Sequence, residues 1–162
     1  MIIFILIQSV NTYAQDNLNL SDNWNELKQL FEYRSDMTLE IVSKLEKSKK
    51  INLSELQKAK ESAQALKSIS KNQVFDKSNV DLTYEKNTEL TKHLTRTLVN
   101  LEFDQKLRKK EEIQSLFDQL IVLEQQICIS VRKFNESCKI SKSEELEFIL
   151  DCNNESPKVE FD

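Results

Sequence analysis

Glycine is missing from this chain altogether, and its one proline, Pro157, lies close to the C-terminus. Hairpin turns and left-handed caps draw on glycine for positive φ. A 162-residue chain without it therefore has no ready route to a β or α/β fold. The same absence excludes every site whose backbone must approach a phosphate or bend sharply at glycine: the P-loop, the dinucleotide fingerprint and the nucleophile elbow. What remains is an all-α fold, and the length suits one domain with a sizeable core.

Hydrophobic spacing says the same. Ile113, Leu116, Leu120, Leu123, Ile127, Val131, Phe134 and Cys138 recur in steps of three and four, the stripe of an α-helix. Phe117, Ile121 and Val122 widen it toward more than one neighbour. Leu20, Trp24, Leu27, Phe31, Met37, Ile41 and Leu45 mark a second helix over about 22–48, with Ser21 or Asp22 as N-cap and a flexible polar stretch before it. Arg34 sits on that apolar stripe, where an arginine is expected to serve as a partly buried partner for a carboxylate. Asn52 with Glu55 three residues on fits a capping box. Leu53, Leu56, Ala59, Ala63, Leu66 and Ile69 continue a helical face, with either a kink or a break near 49–52. Residues 71–79 read as a loop whose Val74 and Phe75 tuck back onto the core. Tyr84, Leu90, Leu94, Leu98 and Leu101 define another helix from Val80 to about Glu102, and 103–108 a turn. Ser141 or Ser143 is placed to cap a short final helix through Leu150, before a loose polar tail. The predicted architecture is an antiparallel bundle of three to four long helices plus a short C-terminal helix, because no such stripe is stable uncovered.

Residues 1–15 differ from the rest. An apolar run from Ile2 to Val10 precedes Thr12-Tyr13-Ala14, as in the core and cleavage site of an export signal, although no lysine or arginine stands before it. The run is too short to span a bilayer. The domain reading is thus 1–15 as signal peptide or truncated membrane anchor, 16–140 as helical bundle, and 141–162 as short helix and tail.

The charge balance, −4 overall, lacks the basic face of a nucleic-acid binder, so no nucleic-acid partner is expected. Two basic clusters stand out, Lys44-Lys47-Lys49-Lys50 and Lys106-Arg108-Lys109-Lys110. They read first as solvated charge at helix ends and second as a phosphate or headgroup contact. Chemistry is sparse. His93 is the sole histidine; Glu89 precedes it by four, whereas a di-iron bundle site wants two Glu-x-x-His motifs. No catalytic residue, cofactor site or metal site is assigned, and the chain is read as a non-enzyme. Cys128 and Cys138 are ten residues apart on one helix, about 15 Å, too far to bond. Either the three cysteines are simply small core residues, or a chain reversal near 140–141 brings Cys128 toward Cys152, leaving Cys138 a buried thiol.

The stretch Leu94–Asn135, LTRTLVNLEFDQKLRKKEEIQSLFDQLIVLEQQICISVRKFN, resembles the LemA family of bacterial envelope proteins. Leu94, Arg96, Leu98, Glu102, Leu107, Glu111, Leu116, Asp118, Leu120, Glu124, Ile127, Arg132, Phe134 and Asn135 stand where that pattern expects them. A second match is YRSDMTLEIV, with Arg34, Asp36, Ile41 and Val42, after Trp24; Leu53–Ala63 is a third. Gln105 stands where the family usually has proline, which marks a divergent member. The resemblance implies long antiparallel helices, membrane association through the N-terminus, an extracytoplasmic domain and a protein or envelope partner, with no settled catalytic residues. The competing expectation from the residues alone is a cytoplasmic helical adaptor that binds a partner helix through a leftover stripe.

Overall fold

A computed structural model describes the backbone of residues 2–48, 50–148 and 150, and the side chains within those ranges from residue 20 onward. Among them are four long helices, α1 (Ile2–Leu45), α2 (Leu53–Ser70), α3 (Lys77–Leu101) and α5 (Glu111–Ile140), with a single-turn α4 (Gln105–Arg108) and a 3-10 turn at Glu144–Leu146. The fold is an antiparallel helical bundle. Ion pairs give the register: Lys44 meets Glu112 and Glu26 meets Lys133 between α1 and α5, while Asp36 meets Lys67 and Glu46 meets Lys60 between α1 and α2. In each set one partner number rises as the other falls, which is what antiparallel neighbours require.

All eight residues of the α5 stripe are buried, as are Leu20, Trp24, Leu27, Phe31, Arg34, Met37, Ile41 and Leu45 of α1. The widened stripe is narrower than its composition: Phe117 and Ile121 are half-buried, but Val122 faces solvent. α1 lies against both α5 and α2, and α2 against α3. The core therefore forms around α1 as much as around α5.

Several boundaries differ from the spacing argument. α1 does not start at Ser21 or Asp22, and no flexible stretch interrupts it: the helix runs through 16–23 from Ile2, with no Gly or Pro to stop it and Leu20 already buried. The side chains of residues 1–15, on which the export-signal reading rests, lie outside the described residues. Near 49–52 the chain breaks rather than kinks. Asn52 adopts an extended backbone, and its side chain accepts from the Ser54 and Glu55 amides at 2.9 and 3.4 Å. Glu55 does not close the box, because its carboxylate is taken by Lys58 and His93.

α3 begins at Lys77, not Val80, since Asp76 caps it by accepting from the Asn79 amide at 2.8 Å. Phe75 tucks in against Trp24 as expected, with ring centroids 6.0 Å apart, whereas Val74 stays exposed. The 103–108 turn holds α4, capped by Asp104 and anchored by buried Leu107. No helix runs from 141 to Leu150. After the single 3-10 turn the chain is non-helical through the described residues, and Leu146, Phe148 and Leu150 alternate onto the core. Lys142, at φ 55°, turns the chain there without glycine.

Candidate functional site

Three polar or aromatic assemblies interrupt the apolar packing, and each ties different helices together. The first is centred on Arg34. Its Nε donates to Glu124 Oε1 of α5 at 2.6 Å, and one terminal nitrogen donates to Asn87 Oδ1 of α3, also at 2.6 Å. Arg34 is only 3% exposed, so its charge needs these partners. The expected carboxylate partner exists. Asn87, buried on the α3 face beside Thr83 and Thr97, carried no sequence signal of its own.

The second joins α2 to α3. Glu55 accepts from Lys58 and lies 3.3 Å from His93 Nδ1 and 3.9 Å from Arg96. The hydrogen bond from Lys58, then that with His93, holds the Glu55 carboxyl below its ordinary range. His93 does not pair with Glu89, whose carboxylate goes to Lys86. Among the described residues no three His, Cys, Asp or Glu side chains gather to hold a metal ion.

The third closes one end of the bundle. Trp24, Phe31, Phe75, Tyr84, Phe134 and Phe148 form one ring cluster, with neighbouring centroids 5.2–6.5 Å apart. Phe148 arrives on the returning C-terminal segment, and the Asn135 side chain holds it at both backbone groups. The Asn135 amide donates to the Phe148 carbonyl at 3.0 Å, and the Phe148 amide donates to Asn135 Oδ1 at 2.8 Å. Cys138 lies fully buried near this end. Burial, then Glu147 and Glu145, pushes its thiol up to about 12. Cys152, the other half of the alternative Cys128–Cys152 pairing, lies outside the described residues.

The opposite end collects Lys44, Lys47 and Lys50 with the Lys106–Lys110 cluster, because the loops 46–52 and 102–110 meet there. Ser48 Oγ donates to Asp104 Oδ2 at 2.5 Å across the two loops, and Lys44 pairs with Glu112 at 3.0 Å. Arg108 pairs with Glu102 at 2.6 Å. Lys47, Lys50, Lys106, Lys109 and Lys110 are exposed and make no salt bridge among the described residues. Complementing a helix C-terminus accounts for Lys44 and Lys47. It accounts likewise for Lys106 and Arg108 in the single turn of α4, but not for Lys110, which stands at the N-cap of α5. Beside these lysines Phe103 and Leu53 stand 71% and 64% exposed. Separated by some 50 residues in sequence, these two loops gave no sign that they would share one end.

Comparison with known proteins adds no kinship: no family model matches this chain, and no curated protein does either. Among the described residues no helix is long and apolar enough to cross a membrane.

Proposed function

We propose that this protein is a non-enzymatic, LemA-like interaction module of the bacterial cell envelope, a helical bundle that is exported or membrane-attached through its N-terminal apolar run. One observation carries the reading. Two of the three stretches that resemble the family contribute Arg34 and Glu124, and these two side chains meet at 2.6 Å, the guanidinium buried and the carboxylate half-buried. Motif positions far apart in sequence thus serve one architectural purpose, as expected when a pattern preserves a scaffold rather than a reaction. Leu94, Leu116, Leu120, Ile127 and Phe134 of the same pattern are all buried, and Asn135 holds the C-terminal segment. The apolar start at Ile2–Val10 supports export or anchoring.

Fractionation of cells carrying the native gene tests it. The reading expects the protein outside the cytoplasm or in the membrane fraction; an intact soluble cytoplasmic chain would overturn it.

A second reading, a cytoplasmic adaptor for a partner helix, is favoured by one feature. Val122, Ile129 and Ile140 are exposed on α5 at spacings of seven and eleven, which places them along one line of the helix. That row is the leftover stripe such an adaptor would offer. The same fractionation separates the two.

A further inference from the structure

We infer that the bundle end formed by loops 46–52 and 102–110 docks end-on against a membrane surface containing acidic lipids. The charge distribution is the first ground. The described residues of the two loops include six basic and three acidic ones, a net of +3, while the whole chain is −4, so everything outside them is −7. This tip is attracted to an anionic surface, and the remainder, acidic on balance, is repelled by it. A long polyanion lying along the bundle would meet that repulsion over most of its length. A flat surface touched by the tip does not.

Exposure is the second ground. Lys47, Lys50, Lys106, Lys109 and Lys110 point their charge to solvent with no salt bridge among the described residues, and Phe103 and Leu53 are exposed between and beside them. An aromatic and an aliphatic side chain among lysines fit the headgroup boundary, where rings and methyls insert shallowly while ammonium groups meet phosphates. The third ground is rigidity. Ser48 and Asp104 bind the loops to each other, and Ile51 and Leu107 anchor them to the core, so the surface is held in place. The end lies at the C-terminus of the 44-residue α1, about 66 Å along the helix from Ile2. A chain held by its N-terminal run would therefore carry this surface at its far end, and the contact adds to the role proposed above without depending on it.

Vesicle co-sedimentation of the full chain tests the inference, using phosphatidylcholine vesicles with and without phosphatidylglycerol. Every variant keeps the N-terminal run, so differences between variants report on the basic end alone. Phosphatidylglycerol should strengthen binding over that to neutral vesicles, and this gain should weaken with added salt. Replacing Lys106, Lys109 or Lys110 by glutamine should each weaken it about fivefold, and all three together about a hundredfold. Phe103→Ser should weaken binding while leaving its salt dependence unchanged. Lys77→Gln and Lys133→Gln, away from this end, should bind as wild type. Circular dichroism of each variant should match the parent, since all these side chains are exposed. A triple variant that binds like wild type, equal binding to neutral vesicles, or binding to single-stranded oligonucleotide without binding to acidic vesicles would each overturn it.

Discussion

Arg34 of α1 donates from Nε to Glu124 of α5 at 2.6 Å, and reaches Asn87 of α3 with the other side of its guanidinium. One side chain so fixes three helices against each other. Apolar stripes slide at small cost, because one methyl group replaces another. A buried guanidinium does not slide, since any shift strands it without acceptors.

Replacing Arg34 by alanine leaves Asn87 Oδ1 buried without its donor and opens a cavity, so a loss of about 3 kcal/mol is expected. Glu124→Gln keeps an acceptor oxygen on a half-exposed side chain, and its cost should be about 1 kcal/mol. Urea unfolding of both variants checks the order; equal losses would mean that Arg34 does not depend on both partners.

Asn135 and Phe148 make a second prediction. Asn135→Ala removes both side-chain bonds to the Phe148 backbone and should cost about 2 kcal/mol. Phe148→Ala empties a ring site in the aromatic cluster and should cost about 3 kcal/mol. Trp24 is the only tryptophan, and its ring lies 6.5 Å from that of Phe148, so its fluorescence should report both changes at that end. An unchanged spectrum in Phe148→Ala would contradict the packing.

How much of this was legible in the sequence depends on whether local or distant groups decide. The α5 stripe and the placement of Arg34 follow from periodicity alone, because a helix face repeats whatever it packs against. The absence of glycine was enough to give the all-α class. The C-terminal segment was misjudged as a helix because its conformation is set by Asn135, thirteen residues back. The break at 46–52 is likewise fastened by Asp104, from a loop more than fifty residues on. His93 was read against Glu89 on its own helix, yet its partner is Glu55 on the next one. Side chain pairs across helices have no signature in spacing.

The acid limb of stability gives a third prediction. The Ser48 hydroxyl, ahead of the Leu107 amide, holds the Asp104 carboxyl below its usual range, and Lys58 with His93 does the same for Glu55. A carboxylate lowered in the folded state contributes stability that is fully present above its unfolded pKa, about 4, and is lost as pH falls through the folded value. Stability should therefore decline below about pH 4.5. Asp104→Asn should flatten that decline, as measured by thermal unfolding against pH. An unaltered acid limb would count against the Ser48–Asp104 bond.

Cys138 supplies a fourth. With its thiol pushed up to about 12 and its side chain fully buried, it should resist iodoacetamide at pH 8 in the native protein. Phe148→Ala, by loosening the segment that carries Glu145 and Glu147, should speed its labelling; mass spectrometry of the Cys138 peptide reads the rate. Rapid labelling of the wild type would show that this end is open.

Zero-length carbodiimide cross-linking with peptide mapping tests the architecture most directly, because it joins lysines to the carboxylates they touch. The bundle predicts links Lys44–Glu112, Lys133–Glu26, Lys67–Asp36 and Lys60–Glu46. Lys44 joined instead to Glu136, near the far end of α5, or to Glu144 just beyond it would reverse the helix pair, separate the two basic loops and contradict the account.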